Sequence, residues 1–390
     1  VSSATLRVAV VHAYYSSRQP SGENIVVDMQ VDALRRAGHE VEVFARRTDE
    51  LESARLFPVA SGIRAATNRG ASPRKAIEQF QADIVHVHNL FPTYGRTWTQ
   101  HFSSRLVTTL HNYRPICPAA TLHRDGRSCT LCPDSGSALS AVRHSCFKGS
   151  RTQSIPVALG TRFQNDPLLT NAARVITLND DMLERYAVTG VPRERLVTVP
   201  NFVDAPQAPG RHDGGFWLYV GRLTEDKGVA ELVDAWPDGP VLKVVGSGPL
   251  EELLARTAGP TVELVGQLSH DEVRALLGAA QGLFFPSLWP EGLPTVYLEA
   301  LAAGLPVVAW PQSIVGTLVA GQGTGFVTSG VVADDIARAG TAFPALSDHC
   351  RTVFDTTYTE AAWVAAIERV YADVLRDPSP GAAGAHRMPL

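Results

Sequence analysis

The sequence predicts an α/β protein built from two doubly wound parallel-sheet domains. Short runs rich in Val, Ile and Leu alternate with longer amphipathic segments, the pattern of βα units feeding a parallel sheet. That alternation begins afresh near Phe216, and 390 residues exceed what one hydrophobic core ordinarily serves.

In the first half the strand candidates are 7–11, 41–44, 84–87, 106–110, 175–178 and 196–199. A helix between the first two opens at Ser21 or Gly22, has Ile25, Met29, Val31 and Leu34 on its apolar face, and is closed by Gly38. The second half offers strands at 216–220, 241–245, 262–265, 282–285, 307–309 and 325–327, with helices at 229–236, 250–256, 271–279 and 295–303. The Pro/Gly-rich stretch from Ala205 to Gly215 reads as the linker. The expected domains are 1–205, with a Cys-rich insertion at about 115–149, and 206–358. A final amphipathic helix at 359–375, with Trp363, Ile367, Val370 and Tyr371 on one side, is free to cross back to the N-terminal domain, and 376–390 reads as a disordered tail. In such sheets ligands bind beyond the carboxyl ends of the strands, so the expected site is a deep cleft where the two domains face each other.

A formal net charge of −4, with no basic stripe, excludes nucleic acid as the main partner. The apolar run Val296–Val308 is broken by Glu299 and Pro306, so it does not span a bilayer. Leu6–Val11 is too short for a signal peptide and reads as a buried first strand. The expectation is a cytoplasmic protein without a transmembrane segment, for which peripheral membrane contact stays open.

The most informative segment is FPSLWPEGLPTVYLEALAAGLPVVA, from Phe285 to Ala309. A strand ends near Pro286, a loop carries Glu291, Gly292, Leu293 and Pro294, and a helix begins near Thr295. Backbone amides at a helix N-terminus suit phosphate oxygens. A loop carboxylate at Glu291 suits sugar hydroxyls, and one at Glu299 suits the two hydroxyls of a ribose. As lone residues both would more often be solvated charges, but Glu299 lies in a helix that otherwise reads as buried and there needs a partner.

The form EGLPTVYLE, two glutamates in a fixed frame ahead of AAGLPVVA, resembles the hallmark of glycosyltransferase family 4, a retaining family with the GT-B fold of two Rossmann-like domains. The resemblance extends to YVGRLTEDKG, where it implies that Gly221, Arg222 and Lys227 clamp the donor diphosphate. From the residues alone, two cations near a helix start need an anion between them or pairing with Glu225 and Asp226. Gly246 in VVGSGP resembles the family's second glycine loop, and Val265–Leu268, with Gln267 and Leu268, resembles the strand end that reads the nucleobase. Ser21, Gly22, Glu23 and Asn24 resemble the loop facing the donor phosphates and the acceptor, with Ser21 where the family usually has glycine. His111, followed by Asn112, resembles the histidine set against the donor sugar. Asn201 resembles the family's Pro-Asn-Gly turn, with Phe202 in place of Gly.

Cys117, Cys129, Cys132 and Cys146 lie within one insertion poor in apolar periodicity. They suit a structural Zn²⁺ held by four thiolates, or by three with His123 or His144; disulfides and plain thiols are the alternatives. Cys350 reads as a small buried residue.

The resemblance implies transfer of a sugar, with retention, from a nucleoside diphosphate donor to an acceptor hydroxyl, without a catalytic metal. A uridine diphosphate sugar is favoured, and the acceptor is a glycan precursor or a small metabolite. It assigns the chemistry to Glu291, His111, Arg222 and Lys227. A glycoside hydrolase using Glu291 and Glu299, a sugar-nucleotide epimerase and a non-catalytic sugar-nucleotide binder are the alternatives.

Overall fold

The computed structural model describes residues 5–16, 22–52, 56–161, 165–206 and 208–377. Ser21, Gln207 and residues 378–390 of the expected tail lie outside them. The chain divides into two compact units.

The first unit comprises residues up to Ala120, Thr130–Pro200 and the segment from Val364 on. Its sheet strands are β1 (Arg7–Tyr14), β2 (Glu40–Arg47), β3 (Ile84–Asn89), β4 (Leu106–Thr109), β7 (Arg174–Thr177) and β8 (Leu196–Thr198), in the order β2-β1-β3-β4-β7-β8. Every pairing within it is parallel. The order reverses between β1 and β3, so the switch point falls where these two strands end. A small antiparallel ribbon, β5 (His123–Arg124) and β6 (Arg127–Ser128), stands apart from the sheet.

β3 has the sequence IVHVHN and is buried along its whole length. Because side chains alternate between faces, His86 and His88 share one face of this central strand. The helix Gly22–Arg36 follows β1 and buries Val26, Val27, Gln30, Val31, Ala33 and Leu34. Ile25, expected inward, is 50 % exposed, because the stripe that meets the sheet is centred one residue later.

The second unit comprises Thr121–Cys129, and so the ribbon, together with Asn201–Trp363. Its strands are β9 (Phe216–Val220), β10 (Val241–Val245), β11 (Val262–Gly266), β12 (Leu283–Phe285), β13 (Val307–Ala309) and β14 (Gly325–Val327). They run in the order β11-β10-β9-β12-β13-β14, again all parallel, with the switch point between β9 and β12. Trp217, Tyr219, Val229, Leu232, Leu242, Phe284, Val308 and Phe343 belong to one buried cluster under the sheet.

The division falls between Pro200 and Asn201 rather than near residue 205. The stretch expected to be a linker is stitched to the second unit: Gly210 N–H donates to Ala303 O (2.8 Å), His212 N–H to Gly278 O (3.1 Å) and Gly214 N–H to Ala279 O (2.9 Å). Glycine permits this, since a Cβ on Gly210 would sit 2.2 Å from Gly278 O.

The final helix, Glu360–Arg376, begins in the second unit and belongs to the first from Val364 on. Trp363, Ile367, Val370 and Tyr371 are all buried. Its Tyr371 hydroxyl lies 2.7 Å from His86 Nδ1, and Glu368 lies 3.2 Å from His39. No helix among the described residues is long and apolar enough to cross a membrane.

The loops after β9 and β10 approach so closely that side chains would not fit. A Cβ on Gly246, whose φ is +140°, would lie 1.9 Å from Gly221 O, and one on Gly248 would lie 2.4 Å from Leu223 O. Gly246→Ala should therefore cost about 3 kcal/mol through strain and displacement of the Gly221 loop. Thermal unfolding measures that loss; a melting temperature equal to that of the unsubstituted chain would show that the loops can separate freely.

Candidate functional site

In the second unit the site grows from the carboxyl ends of β9 and β12. The chain leaves β9 through Gly221 and Arg222 and reaches a short turn, Glu225–Lys227. The chain leaving β12 folds over that turn: Leu288 N–H donates to Asp226 O (3.0 Å), and Pro286 O lies 2.1 Å from where a Cβ of Gly228 would be. Only glycine, here at φ +65°, lets the two backbones meet this way.

Their side chains form one linked set. Lys227 Nζ lies 2.8 Å from Glu291 Oε1, both largely shielded, and Ser287 Oγ donates to the same oxygen at 2.6 Å. The Lys227 ammonium also stands 5.5 Å from the centroid of the Trp289 ring. A buried ion pair needs this number of partners, because desolvation otherwise outweighs the Coulomb gain. Arg222 is different. It lies 3.6 Å from Asp226, and its side chain is 59 % exposed, so its guanidinium remains accessible to an anion.

The helix Thr295–Ala302 starts at Pro294 with no side-chain cap, next to buried Gly292 and Leu293. In its first turn the Tyr297 amide donates to Pro294 O (3.2 Å), and the N-terminus carries the positive end of the helix dipole. Further along, Glu299 is buried and meets His270 Nε2 at 3.0 Å. The partner that a buried carboxylate requires is thus a histidine at the start of the helix His270–Ala279, to which no motif in the sequence points. In the second glycine loop, the Gly248 amide donates to Glu251 Oε1 at 2.6 Å and Ser247 Oγ lies 3.3 Å from Gln267 Oε1. That loop is internally satisfied, and Gly246 is there for close packing. Gln267 is exposed and Leu268 half-buried, beside the exposed apolar side chains of Leu264 and Val265.

The first unit carries a second group of predicted residues. Asn112 Nδ2 donates to Glu23 Oε2 at 3.2 Å, and Asn24 Oδ1 accepts from Tyr15 N–H (3.3 Å) and pairs with His12 Nε2 (3.1 Å). Burial pushes the Glu23 carboxyl up to about 8, against the pull of the Arg114 charge and the Asn112 amide. A Cβ on Gly22 would meet nothing within 4 Å, so packing does not demand glycine there. His111 borders a small pocket together with His88, Phe91, Arg96, Asn112 and Arg114. The Arg114 guanidinium stacks 4.3 Å from the Phe91 ring.

Sequence reasoning singled out His111 and missed His12, His86 and His88. The signal was the alternation His-Val-His in β3, which places two imidazoles on one face. Burial lowers His12 to about 4 and His86 and His111 to about 3, and holds His88 well below its ordinary range, so all four are neutral near pH 7.

Among the described residues no group of three or more His, Cys, Asp or Glu side chains is placed to hold a metal ion. Cys129 falls with the second unit, whereas Cys117, Cys132 and Cys146 fall with the first. Within the insertion, Cys132 is buried on the helix Leu131–Ser135, and Cys129 N–H donates to Leu122 O (2.7 Å). All five cysteines carry thiols rather than disulfides. Cys350 is the small buried residue expected, its thiol pushed up to about 12 by burial.

Two parallel-sheet α/β units with these strand-end loops define the GT-B glycosyltransferase fold. Sucrose-phosphate synthase from Thermosynechococcus elongatus shares it at a TM-score of 0.68 and 18 % identity, over 95 % of this chain and 99 % of that one. Anabaena HepE in complex with UDP shares it at 0.59 and 16 %, over 94 % and 100 %. In sequence, the family model for Glycosyltransferase Family 4 matches residues 20–206 and that for Glycosyl transferases group 1 matches residues 204–351. The chain belongs to that glycosyltransferase family.

Among relatives, glycogen synthase of Mycobacterium tuberculosis (strain CDC 1551 / Oshkosh) is 33 % identical over 162 residues, 37 % of each chain. The GDP-mannose-dependent alpha-(1-6)-phosphatidylinositol monomannoside mannosyltransferase of the same strain is 34 % identical over 137 residues, 31 % of this chain and 36 % of that one. The matched segments thus span little more than a third of either relative's length.

His270 also yields a pH test. Its hydrogen bond to Glu299 raises its pKa above 6.5, aided by the charges of Glu299 and Asp271 and opposed by partial burial and Arg274. A raised pKa means that the pair stabilises the fold below about pH 6.5 and that this contribution fades as pH rises through the higher folded value. With His270 half-exposed and screened, about 1 kcal/mol is expected. His270→Ala should therefore melt about 2 °C lower than the unsubstituted chain near pH 6, with the gap closing by about pH 9. A gap independent of pH would mean that the pair is not ionic.

Proposed function

We propose that this chain is an active, retaining glycosyltransferase that moves a sugar from a nucleoside diphosphate, a uridine diphosphate by preference, to an acceptor hydroxyl without a catalytic metal. The observation that carries the reading is the set Lys227, Glu291 and Ser287 at the switch point of the second sheet, beside an uncapped helix N-terminus. Transfer leaves a diphosphate whose negative charge grows in the transition state, and fixed positive groups stabilise it most where water is scarce. Arg222, Lys227 and the amides after Pro294 supply such groups.

Glu291, anchored by Lys227 and Ser287, presents its remaining oxygen to hydroxyls of the donor sugar. Glu299 takes the ribose hydroxyls once His270 yields. The exposed strand end at Val265, Gln267 and Leu268 offers apolar and amide surface to a base. Glu23, Asn24, His111 and Asn112 serve the acceptor side. Retention then follows from attack on the face the diphosphate leaves, with the departing phosphate taking the hydroxyl proton. The hydrolase alternative requires two carboxyl groups working across the scissile bond. Here each candidate is already engaged by a basic side chain, and Arg222 would have no purpose.

A thermal-shift screen with UDP, GDP and their sugars tests the reading, since a ligand of the native state raises apparent stability by mass action. A shift with UDP alone supports the preferred donor. A shift with GDP alone corrects the base, as one relative's name suggests, and no shift with either removes the donor site. Arg222 is exposed, so Arg222→Ala should leave the melting temperature unchanged and weaken binding of the responding nucleotide roughly tenfold, the scale of one charge-assisted hydrogen bond. Glu291→Gln should bind the nucleotide but lose turnover by roughly 100-fold. Full turnover in the glutamine variant would take Glu291 out of the reaction.

A further inference from the structure

The histidines of the first unit form a continuous stack. His86 lies 4.3 Å from His88 and His88 5.3 Å from His111, each pair at 28° between rings. One end is fixed, because His86 is bonded through Nδ1 to the Tyr371 hydroxyl and through Nε2 to Thr109 Oγ1, both at 2.7 Å. The other end borders the pocket, which His88 and His111 line together. Between them, His88 Nδ1 lies 3.0 Å from His111 Nε2.

Two neutral imidazoles at that distance share one proton: one ring donates and the other accepts. Protonating either ring would leave a cation in a buried stack, and protonating both would set two cations together beside His86 and His12, so burial and mutual repulsion both keep the rings neutral. The tautomer of His111 is therefore coupled to that of His88, and His111 Nδ1 is the nitrogen that remains available to a substrate.

We propose that His88 is a positioning residue: it commits Nε2 of His111 to an internal hydrogen bond and so ties to its own ring the tautomer and ring plane with which His111 meets its substrate. The catalytic consequence rests on the transferase reading above; the tautomer itself does not. The strand register brings these residues together. His88 near the end of β3 and His111 two residues beyond β4 are brought side by side by parallel pairing of those strands, with Val87 opposite Thr108.

The experiment compares the unsubstituted chain with His88→Leu, His88→Asn and His88→Gln. Long-range ¹H–¹⁵N correlation spectra of the imidazoles report each ring's tautomer with no donor or acceptor present. The expected result is a single His111 tautomer in the unsubstituted chain and a mixture in His88→Leu. In turnover, His88→Leu should lose kcat roughly 10- to 100-fold, the scale seen when a group that orients a functional histidine is removed, with the donor KM unchanged. Asparagine places its amide close to where Nδ1 stood and should restore both the single tautomer and most of kcat; glutamine, one carbon longer, should not. A mixed His111 tautomer in the unsubstituted chain, or a single one retained in His88→Leu, overturns the proposal. Equal loss in the leucine and asparagine variants would show that His88 acts by packing alone, and would also overturn it. If no transfer is detected from any donor, the transferase reading fails while the spectra still decide the tautomer.

Discussion

Lys227 reaches Glu291 because Gly228 has no side chain. The carbonyl of Pro286 occupies the space a Cβ would need, so the loop leaving β12 lies directly on the turn after β9. Ser287 is then carried into reach of Glu291, and Trp289 is set against the ammonium. The same constraint recurs one strand over, where Gly246 and Gly248 let the loop after β10 lie on Gly221 and Leu223. Backbone contact at glycines thus holds the strand-end loops of the second unit together, and the charged side chains depend on it for their spacing.

The two groups of candidate residues handle buried polarity differently, although the first unit also holds the shielded ion pair of Arg96 with Asp166. In the second unit charges are kept and paired, Lys227 with Glu291 and His270 with Glu299. In the first, imidazoles are stacked and stripped of charge, so that direction rather than charge is what they offer. A neutral ring under a strand end can give or take one proton-mediated bond along a fixed line; an ion pair at a helix start attracts an anion from any direction. These are different means of recognition, one suited to orienting a hydroxyl and the other to holding a diphosphate.

The doubly wound architecture was legible because buried parallel strands are apolar on both faces. Phe216–Val220, Val241–Val245, Val307–Ala309 and Gly325–Val327 stand as the sequence predicts them. The loop glutamate and its helix were legible from their spacing. His270 was not, because a partner 29 residues from Glu299 is defined only by packing of two helices. The histidine stack was half legible: His86 and His88 must share a face in any strand, but their distance to His111 depends on register. The stretch 205–215 misled because glycine and proline mark free linkers and close-packed straps alike.

The helix Glu360–Arg376 gives the chain an order of completion. Its last turns bury Ile367, Val370 and Tyr371 in the first unit, and Tyr371 closes the hydrogen bonding of His86 in the central strand. During synthesis most of the first unit emerges early, yet the piece that seals it follows every strand of the second unit in sequence. The second unit holds all of its strands before that point and can mature on its own schedule. The first unit keeps an open seam over His86 until that helix arrives.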